Sequence, residues 1–436
     1  MSGRALVRFA LTLVVCVLLL AGCGGGVAQP DPPLPGMRLT IYSSLPQRGP
    51  LHGVAADVLG AERLALAQVG SHVGRYDVQL IALDASTLAA GSSDPAQISQ
   101  NARRAAKNAH TVAYLGELET GSSAISVPLL NEAGILQVSP LDTAMALTTA
   151  SLAVAGSPER FYPKLKVWGR TFARVVPSDR SQVDALLASM REAGVERLAI
   201  LTDEDPSGRA LATTLGAKAH AAGVTVVARE EIDVNELRHD DSIVRVLAAA
   251  PDGVLDATGA RPGAAGLWRE LSAADPQLRL FAPASLADPS FVAGLGPASA
   301  AAAHVTLPLL GAGDGSAAER RFAHAFAARY GHLPAPEARY GYEAMRSVLD
   351  AIRRAELRAD GPLTRRGVVH EYFRTDLRDS VLGRYAIDAS GDTSMRRWGA
   401  FGVAGGELRF ERALDSASAA RRSRPVGQNS ASAPKE

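Results

Sequence analysis

From Met37 onward, short apolar strand-like runs alternate with helix-like runs, and the alternation occurs twice. In the first series the pattern predicts strands over 37–43, 76–84, 111–115 and 135–138. Helices fall between them over 54–69, 94–109 and 122–133, the second opened by Asp94-Pro95. After Arg180 the series restarts, with helices over 183–193, 208–222, 243–249 and 263–273 and strands over 197–203, 224–230 and 253–258. Strands that are apolar throughout are buried on both faces, and helices between them supply the cover, so each series predicts a parallel α/β sheet. Two series predict two similar lobes. In open α/β sheets the ligand crevice lies at the carboxyl ends of the strands. With two lobes the natural site is the cleft between them.

Composition narrows the function. The net charge is +1 and no Lys/Arg-rich run stands out past the first residues, so a nucleic-acid partner is not expected. His, Asp and Glu are scattered, with no HExxH, C-x-x-C, G-x-S-x-G or phosphate-loop spacing. No metal, no cofactor and no enzymatic chemistry are therefore expected. The run Gly24-Gly25-Gly26 follows no strand and reads as linker.

The chain has two cysteines, Cys16 and Cys23. Arg4 and Arg8 precede an apolar stretch over 9–20, too short to span a bilayer, and Ala21-Gly22 follow it. This is the pattern of a cleavable secretory signal over 1–22. Leu20-Ala21-Gly22-Cys23 resembles the bacterial lipoprotein box, which implies acylation of Cys23 as the first mature residue. Residues 23–36 then read as a Gly/Pro-rich tether and 416–436 as a disordered tail. The expected location is a membrane surface outside the cytoplasm, held by a lipid anchor. About 400 residues remain after the signal, too many for one core. With Cys16 in the signal and Cys23 acylated, they contain no disulfide.

The stretch GELETGSSAISVPLLNEAGILQVSPLDTAMALT, 116–148, carries a family resemblance. Asn131-Glu132-Ala133-Gly134-Ile135-Leu136 and Ser139-Pro140-Leu141-Asp142-Thr143 match N-E-x-G-I-L and S-P-x-x-T. The loop 44–50, the strand and loop 200–209 and the late helix 336–352 agree in order. The chain resembles the type I periplasmic-binding family, specifically the branched-chain amino-acid (leucine/isoleucine/valine) binding proteins of ABC importers. The resemblance implies two Rossmann-like α/β lobes joined by a three-crossing hinge. It places crossings near 174–177, 283–285 and 380–384. Lobe 1 is then 37–174 plus 284–380, and lobe 2 is 175–283 plus 381–415.

The resemblance also implies that a ligand carboxylate is held by hydroxyls and backbone N–H groups of the first lobe, at Thr120, Gly121, Ser139, Asp142 and Thr143. Thr120 is alternatively an ordinary helix cap, and Ser139 alternatively shapes the turn before Pro140. Glu117 and Glu119 read as solvated flanks of this loop. Three positions depart from the family. Gly263 stands where an acid pairs the ligand ammonium, in the turn Gly259-Ala260-Arg261-Pro262-Gly263. Ser207 stands where an aromatic covers the ligand, and Asp142 where a small residue is usual. Either Asp142 supplies the missing negative charge, or Arg261 with Arg48 and His52 makes a cationic cleft suited to an anion. Each of these three basic residues also reads as an ordinary solvated loop residue. The expected activity is capture of a small polar ligand, an amino acid or related carboxylate, for ABC permease subunits. The alternatives are a ligand-sensing receptor and a structural envelope lipoprotein with a degenerate cleft.

Overall fold

The computed structural model describes residues 31–87, 92–233, 236, 238–259, 263–308 and 315–415. The expected signal, Cys23, most of the expected tether, Arg261 and the expected tail lie outside them.

The first sheet contains β1 (Arg38–Leu45), β2 (His72–Val73), β3 (Tyr76–Asp84), β4 (Thr111–Leu115), β5 (Leu136–Ser139) and β6 (Phe172–Arg174), in the order β2-β3-β1-β4-β5-β6. All neighbours are parallel except β2 and β3. Every residue of β4 and β5 is buried, which explains runs that are apolar without alternation. The intervening helices are α1 (His52–Ala67), α2 (Pro95–Lys107) and α3 (Ser123–Glu132). Asp94 caps α2 by accepting the Gln97 N–H at 2.9 Å, with Pro95 in the first turn.

The second layer opens with α4 (Asp179–Glu192), four residues before the expected start. Its apolar stripe begins at Val183, but its first turn buries the polar Asp179, Ser181 and Gln182, which periodicity does not register. Next come β7 (Arg197–Thr202), α5 (Pro206–Ala219), β8 (Thr225–Glu231), α6 (Asp240–Ala248), β9 (Gly253–Asp256), α7 (Ala264–Ala274), β10 (Arg279–Ala282), α8 (Pro289–Gly294) and β11 (Ala303–Leu307). The chain continues through α9 (Ala317–Tyr330), α10 (Ala338–Arg358), α11 (Arg365–Phe373), the hairpin β12 (Arg378–Ser380) and β13 (Gly383–Tyr385), then β14 (Arg397–Ala404) and β15 (Glu407–Asp415). The second sheet has seven strands in the order β15-β14-β11-β10-β9-β7-β8. Its core is parallel, and β14 and β15 close one edge antiparallel.

Three expected boundaries move. Leu34 is buried and its N–H donates to the Leu363 carbonyl at 2.8 Å, so the fold begins inside the expected tether. The return near 283–285 is displaced because β11 pairs in parallel with β10, Ala303 opposite Leu280, which keeps the chain in the second sheet to Leu307. It rejoins the first layer through α10, which packs so closely on α1 that a Cβ at Gly341 would lie 2.7 Å from Val58. The last crossing falls after 380–384. The hairpin stays on α10 through the Tyr385 hydroxyl, which donates to Glu343 at 2.7 Å, and through Arg378, which pairs with Glu343 and Asp350. The chain enters the second sheet only at Arg397.

The two sheets share an apolar seam. Met145, Leu147, Phe161 and Phe172 from the first layer form one buried cluster with Val183, Leu186, Leu211 and Leu215 of α4 and α5. Each such side chain contributes about 1.5–3 kcal/mol on burial. This cluster sets the loops after β4 and β5 against the start of α5.

Candidate functional site

The site is built from the carboxyl ends of β4 and β5. Ser139 ends β5, and its hydroxyl donates to the Glu117 carbonyl at 2.8 Å. The same oxygen accepts the N–H groups of Leu141 at 3.2 Å and Asp142 at 2.8 Å. Ser139 is fully buried, so it shapes and ties the two loops. The turn aims Asp142 at the start of α3. One carboxylate oxygen accepts the Gly121 N–H at 2.9 Å and the Ala144 N–H at 3.0 Å, and the other accepts the Ser123 N–H at 2.9 Å. These include donors that the first turn of a helix leaves unpaired, at its positive end. Asp142 is fully buried, and both of its carboxylate oxygens are taken up by these N–H groups.

The Thr120 and Thr143 hydroxyls meet at 2.9 Å. The α3 cap position belongs to Ser122, whose side chain makes no capping bond, so Thr120 is not the cap. The Thr143 carbonyl accepts the Asp179 N–H at 2.8 Å. Burial pushes the Asp179 carboxyl up to about 7, with Asp142 and Asp205 adding to the rise and the Thr143 hydroxyl and Arg174 opposing it. Glu117 is buried rather than solvated. One of its oxygens accepts the Tyr114 hydroxyl at 2.9 Å, and burial pushes it up to about 8. Glu119 is half-buried and accepts the Ser93 N–H at 3.2 Å. Burial raises its pKa, and Asp288 and Asp142 add to the rise.

The second sheet meets this group at α5. Asp205 caps that helix by accepting the Gly208 N–H at 2.6 Å, and Ser207 lies in its first turn, 9% exposed. Gly121 has φ +88°, and a Cβ there would lie 2.7 Å from the Ser207 hydroxyl oxygen. Gly121→Ala is therefore strained in its backbone and crowded across the seam. It should destabilise the protein by about 1–3 kcal/mol in urea denaturation. Gly121→Ala with Ser207→Gly should recover only the steric part, and complete recovery would contradict the backbone argument.

Thr120, Gly121, Ser139, Asp142, Thr143 and Ser207 thus come together. Arg48 does not join them. It is half exposed and lies 3.5 Å from Asp84, while His52 Nδ1 lies 2.7 Å from the Gln47 carbonyl oxygen. Arg261 falls outside the described residues, although Gly259 before it donates its N–H to Asp203 at 3.0 Å. Sequence reasoning missed Arg174 and Asp392, which pair at 2.8 Å behind the Asp142 loop. The available signal was an arginine inside the apolar run that forms β6. Among the described residues, no group of three or more His, Cys, Asp or Glu side chains could hold a metal ion.

A family model described as "Periplasmic binding protein" matches residues 43–407. No curated protein sequence matches the chain. Among solved structures, the leucine binding protein of Thermotoga maritima is 21% identical, with a TM-score of 0.71 over 87% of this chain and 99% of that one. The isoleucine-bound branched-chain amino acid transporter substrate binding protein of Streptococcus pneumoniae is 15% identical, with a TM-score of 0.66 over 86% and 98%. A benzoate-bound solute binding protein of an ABC transporter from R. palustris is 16% identical, with a TM-score of 0.65 over 86% and 96%. These structures share the fold of this chain. With the family model spanning nearly the whole described fold, the chain belongs to the periplasmic binding protein family.

Proposed function

We propose that the protein is a lipid-anchored, extracytoplasmic solute-binding protein. It captures a small polar ligand between its two sheets and delivers it to an ABC importer. The observation that carries this reading is the meeting of Gly121 with Ser207, which sets a cluster of hydroxyl and backbone groups from both sheets against one another. Opening and closing about the three crossings admits and encloses the ligand. Enclosure removes water and strengthens each polar contact. Leucine, isoleucine and benzoate, named for the structural relatives, set the ligand size. They fall in the expected class of an amino acid or related carboxylate, and the bonds made by Asp142 favour carboxylate-free derivatives of that size, amines and amides. Acylation of Cys23 holds the protein at the membrane that carries the permease.

A thermal-shift screen with amino acids, aliphatic amides, amines, carboxylates and aromatic acids tests the binding role. A ligand at about 100 times its Kd should stabilise the fold by about 2.7 kcal/mol. A flat response across the panel would count against ligand capture. Labelled palmitate that fails to enter the wild-type chain, or enters Cys23→Ala equally, would count against the anchor.

A further inference from the structure

We infer that Asp142 determines ligand specificity: its carboxylate fills the anion seat at the start of α3, so the seam selects ligands that lack a carboxylate. This deepens the solute-binding reading and rests on it. The Gly121 and Ser123 N–H groups are the donors by which the first turn of α3 would hold an anion. Both already donate to Asp142, at 2.9 Å each, and the Ala144 N–H adds a third charge-assisted bond at 3.0 Å. A ligand carboxylate would have to displace these bonds or stand against a like charge.

The main chain of Asp142 is held in place from both sides. Its backbone N–H donates to Ser139 at 2.8 Å, and its carbonyl accepts from Arg174 at 2.8 Å. What the surroundings offer a ligand is of the opposite kind. The Thr120 and Thr143 hydroxyls meet at 2.9 Å, and the Thr143 carbonyl accepts the Asp179 N–H at 2.8 Å, which sets the buried Asp179 next to this pair. Glu119, half-buried after β4, adds a second acid to the same loop and accepts the Ser93 N–H at 3.2 Å. Hydroxyls and carboxyls receive N–H donors, so the chemistry that fits is an amine or a primary amide of amino-acid size.

The test compares L-leucine, L-leucinamide and isoamylamine on the full-length protein, and adds sodium acetate to Asp142→Ala. Leucinamide or isoamylamine should bind the wild type at least about tenfold more tightly than leucine. Asp142→Ala should lose stability, and acetate should restore part of it where chloride does not. Leucine should gain at least about tenfold in affinity for this variant. Asp142→Asn keeps the seat filled with a neutral side chain, so acetate should leave it unchanged. Should Asp142→Ala fold poorly, acetate present during refolding reads the same seat. Leucine binding the wild type as tightly as leucinamide would overturn the inference, as would acetate acting no better than chloride on Asp142→Ala. If nothing in the panel binds the wild type while acetate still rescues, ligand capture fails and the filled seat stands.

Discussion

Arg174→Met should destabilise the protein by about 3–5 kcal/mol, the usual penalty for breaking a buried ion pair from one side. The guanidinium has no solvent exposure. Its Nε donates to Asp392 at 2.8 Å, and one terminal nitrogen donates to the Asp142 carbonyl at 2.8 Å. The other donates to the Ala144 carbonyl and the Thr148 hydroxyl, both at 2.9 Å. Removing it leaves a largely buried carboxylate and two carbonyls without their donor. Lysine is a point charge and cannot reproduce this planar fork, so Arg174→Lys should lose much of the same stability. Arg174 also joins two distant parts of the fold. It holds segment 142–148, which carries Asp142 and Thr143, and its backbone N–H donates to the Gly391 carbonyl at 2.9 Å, next to the last crossing. Gly391 permits that approach because a Cβ would fall 2.2 Å from the Phe172 carbonyl oxygen. The check is a double-mutant cycle in urea. Arg174→Met with Asp392→Leu should lose far less than the sum of the single losses, because the stranded charge is gone. Strict additivity would show that the pair does not act as a unit.

The alternating series was legible because strands buried on both faces leave continuous apolar runs, as in β4 and β5. Their carboxyl ends, and with them Thr120, Gly121, Ser139, Asp142 and Thr143, could be placed from spacing and resemblance. The direction of a side chain could not. Asp142 bonds the N–H groups of residues 21 and 19 positions earlier, a link that exists only once β4 and β5 are paired. The Arg174–Asp392 pair spans 218 positions and is equally invisible to local pattern. The second crossing was misplaced for a similar reason. The resemblance ends the second series near 283–285, but β11 is five residues long and its membership shows only in its pairing with β10. Buried acids were the other blind spot: Glu117 reads as a solvated flank by residue type, yet it and Glu62 of α1 are both buried.

Those buried acids should make the protein less stable as pH rises from about 4.5 to 8. Glu62 of α1 is fully buried, with neither carboxyl oxygen in a hydrogen bond of ordinary geometry among the described residues. Burial pushes it up to about 8, and the nearby Ser43 hydroxyl and Arg63 only partly offset this. Glu117 is raised to about 8 and Asp179 to about 7, again mainly by burial. In the unfolded chain all three ionise from their ordinary values of 4.5 and 3.8. Between those values and the raised ones, the folded state holds protons that the unfolded state has released. Stability is then fully present below the unfolded values and falls by about 1.4 kcal/mol per pH unit for each group. His304, held below its ordinary value by burial, opposes this only below about pH 6.5. Asp84 and Glu371, lowered in the fold, lose their contribution only as the solution becomes more acid than ordinary carboxylates. Glu62→Gln carries no titrating group at that site. It should match the wild type near pH 4.5 and exceed it increasingly toward pH 8, with a stability slope shallower by about 1.4 kcal/mol per unit. Urea midpoints across that range read both slopes. Parallel curves would mean that Glu62 reaches water or a partner in solution, and the unpaired buried carboxyl would then have to be abandoned.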